Sequence, residues 1–132
     1  MAVSKDPQAD RGYKWLLSNQ NEDGGWGGGP SCEATWNRRS SIEETAVAVA
    51  AMASHPKHFE STQTQRGIDY LLRAVDSDDF RSCWPIGFYF AKLWYHEKLY
   101  PLIFTVSALG HAIHARLPGP STQWSSAQLP HA

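Results

Sequence analysis

Three carboxylates crowd into Asp76-Ser77-Asp78-Asp79, and two histidine pairs, His55/His58 and His111/His114, stand three residues apart. Neighbouring carboxyl groups raise one another's pKa, and in an apolar cavity one of them can stay protonated and act as an acid. The same run in water is a solvated acidic loop, and that is the reading adopted for it. His111 and His114 share one helix face and could share a metal, but no third ligand stands near them. His55-Pro56-Lys57-His58 reads as a loop. Gly24 to Gly29 lacks the Lys-Ser/Thr that a phosphate cradle needs, so it is a turn. Glu44 follows Ser41 at the spacing of a helix cap, which accounts for it without chemistry. No residue is therefore assigned a catalytic role, and no metal and no cofactor is expected. What stands out instead is aromatic content, with six tryptophans. In a small helical protein these wedge between helices or line a cavity.

The apolar periodicity predicts five helices and no strand. The first spans about 8 to 19. A loop at 20 to 40 carries the glycine turn and Pro30. Ser41 and Glu44 form a capping box, so the second helix begins at Ile42. It runs through small residues suited to close helix contact and stops before Pro56. The third spans 62 to 75, with Ile68, Leu71, Leu72 and Val75 on one face. An aromatic-heavy fourth helix is expected at 87 to 98. Pro101 suits the first turn of a fifth, whose buried stripe should be Leu102, Val106, Leu109 and Ile113. Residues 1–7 should be flexible, 8–116 should form one domain, and 117–132 should be a disordered tail after Pro118-Gly119-Pro120.

The segment Gln20-Asn21-Glu22-Asp23-Gly24-Gly25-Trp26 follows the first helix. Gln20 can hydrogen-bond unpaired backbone groups. Gly24 and Gly25 allow the positive φ of a tight turn. Trp26 folds back as an apolar anchor with one N–H to satisfy. Together Gln20, Gly24 and Trp26 form a device for tying one helix to the next. The approach to it repeats: Arg66-Gly67-Ile68-Asp69-Tyr70-Leu71-Leu72 matches Arg11-Gly12-Tyr13-Lys14-Trp15-Leu16-Leu17 in type, 55 residues on. Fixed-offset similarity marks a repeat architecture, whose units bury their apolar faces against each other. The second copy has lost its Gln and Gly, and Trp84 is the counterpart left for Trp26.

These blocks resemble the QW motif of squalene–hopene cyclases and related triterpene cyclases. Ser41-Ile42-Glu43-Glu44-Thr45-Ala46 resembles the family's Ser-x-Thr-Ala helix start. Trp84-Pro85-Ile86-Gly87-Phe88-Tyr89-Phe90, followed by Tyr100-Pro101-Leu102, resembles its late Phe-Pro-Gly-Asp-Phe-Tyr-Leu block and closing Pro-Leu helix. The resemblance covers roughly residues 8 to 115 and matches the C-terminal end of such enzymes. It implies an all-α fold of antiparallel helix hairpins forming part of an α/α toroid. In that family, aromatic faces of the late block line the cyclisation cavity and stabilise carbocations. Carried over by position, Phe88 matches the second Phe, Trp84 replaces the first, and Tyr95 corresponds to a later Tyr across one extra residue. The family's acid motif, Asp-x-Asp-Asp-Thr-Ala, is missing: Asp76 to Asp79 lacks the Thr-Ala, and Ile86-Gly87 replaces the late Gly-Asp. The resemblance thus implies a scaffold and cavity wall for polyprenoid cyclisation that does not catalyse alone. The alternative is a non-catalytic helical-repeat module binding a partner protein or an isoprenoid lipid.

A net charge of −1 with interspersed signs argues against a nucleic-acid partner. No run reaches the ~20 apolar residues of a membrane span. Met1 to Asp10 lacks the apolar core of a signal peptide, so a cytoplasmic location is expected; the resemblance adds peripheral contact with a membrane. Cys32 and Cys83 read as free thiols. The implied partners are a polyprenoid such as squalene, an upstream cyclase segment, or a second copy. An open arc of hairpins leaves an apolar face exposed for such contacts. No segment matches the Asp, Cys and His zinc set of the related protein prenyltransferase β-subunits.

Overall fold

The computed structural model describes residues 6–28, 40–83, 85–88 and 93–117. They form α1 (Pro7–Ser18), α2 (Ile42–Ala53), α3 (Pro56–Phe59), α4 (Thr62–Asp76), a 3-10 turn (Asp79–Arg81), β1 (Pro85–Phe88), β2 (Leu93–His96) and α5 (Tyr100–Arg116). The fold is of the all-α class, with several helices and one small hairpin. The flexible start and disordered tail expected at 1–7 and 117–132 fall almost wholly outside the described residues.

Local chemistry sets each helix start. Asp6 caps α1 by accepting from the Gln8 N–H at 2.9 Å, with Pro7 in the first turn. Ser41 caps α2 reciprocally: its Oγ accepts from the Glu44 N–H at 3.2 Å and donates to Glu44 Oε2 at 2.7 Å. Ser61 caps α4 by accepting from the Thr64 N–H at 3.2 Å. Pro56 and Pro101 sit in the first turns of α3 and α5, where a missing N–H costs nothing. His114 and Arg116 lie in the last turn of α5, favourable to its dipole.

The centre of the fold is α2, which packs most extensively on α5 and next on α4. Its buried residues include the small Ala46, Ala48 and Ala53 beside the larger Ile42, Val49 and Met52. The opposing residues on α5 are small too, with Thr105, Ala108 and Ala112 buried. Small residues on both sides let the two backbones approach closely. Trp26, Phe59, Ile68 and Leu71 complete the core.

Three expectations fail. His55-Pro56-Lys57-His58, expected as a loop, leads into the short helix α3, with Pro56 at its first turn. The helix expected at 87–98 is an antiparallel hairpin, with Pro85 opposite His96 and Phe88 opposite Leu93. Pro85 and Gly87 are poor helix formers, and the aromatics that suggested a packed helix are equally suited to strands. The expected stripe of α5 is also misplaced. Leu102, Val106 and Ile113 are exposed, Leu109 is half-buried, and the buried face belongs to the smaller residues. α5 is apolar on nearly every side, so periodicity could not choose its inner face. The close approach of α2 chose it.

Candidate functional site

The Gln20-to-Trp26 turn is the best-built constellation outside the helices. Gln20 Nε2 donates to the Gly24 carbonyl at 2.8 Å and to the Gln63 carbonyl of α4 at 2.7 Å. One side chain thus closes the turn and fastens it to the start of another helix. Gly24 has φ +93°, a conformation that disfavours any side chain. Gly25 serves a different need. Its φ is not positive, but a Cβ there would stand 2.5 Å from the Ser40 side chain and 2.8 Å from Thr45 Oγ1. Asp23 Oδ1 accepts from the Gly25 N–H at 2.9 Å and from Ser40 Oγ at 2.7 Å, which fixes the turn's inner edge.

Trp26 is 3% exposed. Its Nε1 donates to the Leu16 carbonyl near the end of α1 at 2.9 Å. Its backbone N–H donates to Thr45 Oγ1 at 2.9 Å, and its carbonyl accepts from the Ser41 N–H at 3.0 Å. Its ring lies against Gly67 of α4, where a Cβ would be 2.7 Å from Cζ3. Three helices, α1, α2 and α4, therefore meet on one residue, α1 and α4 at its side chain and α2 at its backbone.

Several contributors escaped the sequence reading. Arg66 Nη2 donates to the carbonyls of Glu22 at 2.6 Å and Asn21 at 3.3 Å. Arg73 Nη2 donates to the Asp23 carbonyl at 2.8 Å. Tyr70 donates its phenolic hydrogen to the Ser40 carbonyl at 3.1 Å. Burial, with Asp23, Asp79 and Glu43 nearby, pushes the Tyr70 pKa up to about 12, against a smaller lowering by Arg73. The phenol thus stays a donor through the neutral range. The 55-residue repeat was the available signal, since Arg66, Gly67 and Tyr70 stand in its second copy.

Beside the turn lies a half-open cleft of about 660 Å³. Trp15, Leu16, Trp26, Val47 and Phe104 line it, and Glu43 and Glu44 also border it. Glu43 is buried at the start of α2. Of the aromatic wall residues expected from sequence, Trp84 lies outside the described residues, as do the side chains of Phe88 and Tyr95. The backbones of those last two lie on β1 and β2, with Tyr95 opposite Ile86.

The acidic run is exposed and internally paired. Asp78 has φ 63° and accepts from Arg81 Nε at 2.8 Å, while Ser77 Oγ donates to Asp79 Oδ2 at 2.7 Å. His111 and His114 are exposed on α5. His55 and His58 are put to packing use instead: the Tyr13 ring lies 4.3 Å from His58 and 5.5 Å from His55, joining α1 to the α2–α3 corner. Burial, then His55 and Lys57, lowers the His58 pKa below its usual 6.5, against an opposing pull from Asp10. Among the described residues no group of three or more His, Cys, Asp or Glu is placed to hold a metal. Cys83 is a free thiol, and Cys32 lies outside the described residues. Among the described residues no helix is long and apolar enough to cross a membrane.

Residues 2–114 match the squalene-hopene cyclase C-terminal domain. The chain belongs to that family. It is also 33% identical, over 73 residues, to a chloroplastic pseudolaratriene synthase from Pseudolarix amabilis. That stretch is 55% of this chain but only 8% of the synthase. No solved structure matches the chain.

Proposed function

We propose that this domain supplies scaffold and cavity wall for the cyclisation of a polyprenoid such as squalene, and that it does not catalyse alone. The observation that carries the proposal is the cleft beside the Gln20-to-Trp26 turn. Trp15 and Phe104 border it with aromatic surface, and Leu16, Val47 and Ala51 add aliphatic surface. Such a wall suits a hydrocarbon, and aromatic faces attract the positive charge that develops along a cyclising chain. Trp84, Phe88 and Tyr95 are proposed as further wall residues by family resemblance. Gln20, Gly24 and Trp26 are proposed as a QW turn in an arc of an α/α toroid, with a purely structural role. The acid that would begin such a reaction is assigned to chain outside this domain, because Asp76, Asp78 and Asp79 are exposed and Asp78 is ion-paired with Arg81.

The domain alone, incubated with squalene, should give no cyclic product. The same domain joined to an upstream cyclase segment carrying Asp-x-Asp-Asp-Thr-Ala should restore product, and Trp15→Ala or Phe104→Ala should change the yield or product pattern. Hopene-type products from the isolated domain would refute the assignment of the acid.

A second reading rests on α5. Leu102, Val106 and Ile113 form an exposed apolar stripe, with Val106 64% and Ile113 61% exposed. Such a surface also suits a non-catalytic module that binds a partner protein or an isoprenoid lipid. Binding of a labelled polyprenoid that is lost on Val106→Lys but not on Trp15→Ala would favour this second role.

A further inference from the structure

α1 is held to the fold at two places. None of its residues is fully buried. Near its end, Leu16 packs on the core and its carbonyl accepts from Trp26 Nε1 at 2.9 Å. From Pro7 to Trp15 every residue but Tyr13 is exposed. Tyr13 meets two histidines at the α2–α3 corner. Its ring lies 4.3 Å from that of His58, tilted by 30°, and 5.5 Å from that of His55. The two imidazoles stand 4.7 Å apart.

This corner suits neutral imidazoles and opposes charged ones. His55 Nδ1 is shielded from solvent and has no hydrogen-bond partner. An imidazolium carries a hydrogen on both ring nitrogens, so charging His55 places a buried donor where nothing accepts. The Tyr13 face attracts one imidazolium, but a second one beside it adds like-charge repulsion. The charged groups that act on His58 are His55 and Lys57 of the same corner and Asp10 of α1. Asp10 favours protonation and is outweighed by burial and the two bases, so the His58 pKa lies below its usual 6.5. From α4, Thr64 Oγ1 donates to the His58 carbonyl at 2.8 Å, which fixes the backbone and leaves the ring free to titrate. A lowered folded pKa makes docking strongest above pH 6.5 and weaker as pH falls.

We infer that Tyr13, His55 and His58 form an acid-released latch: neutral imidazoles hold α1 against the α2–α3 corner, and their protonation lets it swing away. The hinge is Asn19, the residue that ends α1, because Gln20 after it is fixed to the Gly24 and Gln63 carbonyls. α1 carries one wall of the cleft through Trp15, Leu16, Ser18 and Asn19, so its release opens the cleft on that side. The latch rests on the ring cluster and not on what the cleft holds. It stands if the cleft binds no polyprenoid, and the cavity-wall role stands if the latch fails.

The test is amide exchange on the whole chain at about pH 7.5 and about pH 5, corrected for intrinsic rates, a range that spans histidine titration. Exchange across residues 8–17 should quicken at least about five-fold at the lower pH while α4 keeps its protection, as expected when one element opens locally. NMR of the imidazoles should give a titration whose midpoint coincides with that of α1 opening. His58→Phe keeps a ring against Tyr13 but takes up no proton, and it should remove most of the acid response. Tyr13→Ala should bring α1 at the higher pH to the rate that the parent chain reaches at the lower. The inference is overturned if α1 exchange is indifferent to pH, if α4 quickens equally, or if opening and imidazole titration have separate midpoints. It is also overturned if Tyr13→Ala has no effect at the higher pH, or if folded His58→Phe opens in acid as readily as the parent. Should His58→Phe fail to fold, the midpoints and Tyr13→Ala decide the matter.

Discussion

Gly12 and Gly67 should respond to alanine with opposite signs. At Gly67 the new Cβ falls 2.7 Å from both Trp26 Cζ3 and Val49 Cγ2. Carbon atoms prefer about 3.5–4.0 Å, so the methyl group intrudes by about 1 Å on two sides. Neither neighbour can retreat easily. Trp26 is held through Nε1 to Leu16 and through its N–H to Thr45, each at 2.9 Å, and Val49 is fully buried. Overpacking of this kind costs about 1–3 kcal/mol, while the helix preference of alanine returns about 0.5–1 kcal/mol. Gly67→Ala should therefore destabilise by about 1–2 kcal/mol. Gly12→Ala has only the favourable helix term and should stabilise by about 0.5–1 kcal/mol. With a urea m-value of about 2 kcal/mol/M, the two unfolding midpoints should lie about 1 M apart, on either side of the parent. Trp26→Leu should relieve most of the Gly67→Ala penalty by making room. If both alanines stabilise equally, the Trp26 ring does not close on Gly67. If Gly12→Ala destabilises, the open space around Gly12 is filled in solution and the reasoning fails.

Other outcomes can be stated more briefly. Trp26→Phe removes the donor to the Leu16 carbonyl and leaves a void, and should cost about 1–3 kcal/mol by urea unfolding. Val106→Lys with Ile113→Glu should leave stability within about 0.5 kcal/mol while reducing concentration-dependent association in sedimentation. Tyr70 has a folded pKa raised from 10.0 to about 12, so its contribution is whole below pH 10 and is lost as pH rises toward 12. The loss should be about 1 kcal/mol, below the full linkage value because the ring is only part-buried, and Tyr70→Phe should flatten it. His58 has a lowered folded pKa, so its contribution is present above pH 6.5 and is lost as pH falls below that. Amide exchange in α1, corrected for intrinsic rates, should therefore quicken at about pH 5, and less so in His58→Gln.

The sequence carried the helix boundaries where a single residue dictates them. Ser41 and Glu44 set the start of α2, and Pro56 limits its end. It also carried the pieces of the turn, because Gln, Gly and Trp each have a narrow range of physical uses. Two regions were not legible. From Pro85 to His96, aromatic residues satisfy a strand as well as a helix, and the choice depends on a pairing that no local pattern encodes. On α5, bulky and small apolar residues alternate around the whole circumference. Hydrophobicity favoured Leu102, Val106 and Ile113 as the inner face, but helix separation from α2 decided for Thr105, Ala108 and Ala112. The cleft was invisible for a related reason: Phe104 comes to it from a helix distant in sequence from Trp15 and Val47.

The decay of the second turn is better read as closure than as damage. A turn that still carried Gln, Gly and Trp after α4 would present an unused anchor and unused donors to solvent. Instead the segment satisfies itself. Ser77 Oγ stands 2.9 Å from the Arg73 carbonyl and 2.7 Å from Asp79 Oδ2, with one hydrogen to share between them, and Arg81 grips Asp78 in its left-handed conformation. The polypeptide then returns through the hairpin, and α5 lies against α2, sealing its small-residue face. Among the described residues the two copies are thus unequal: the Gln20-to-Trp26 turn after α1 is fastened to α4, and the segment after α4 carries no such turn. The apolar stripe on α5 lies apart from this repeat and requires an explanation of its own.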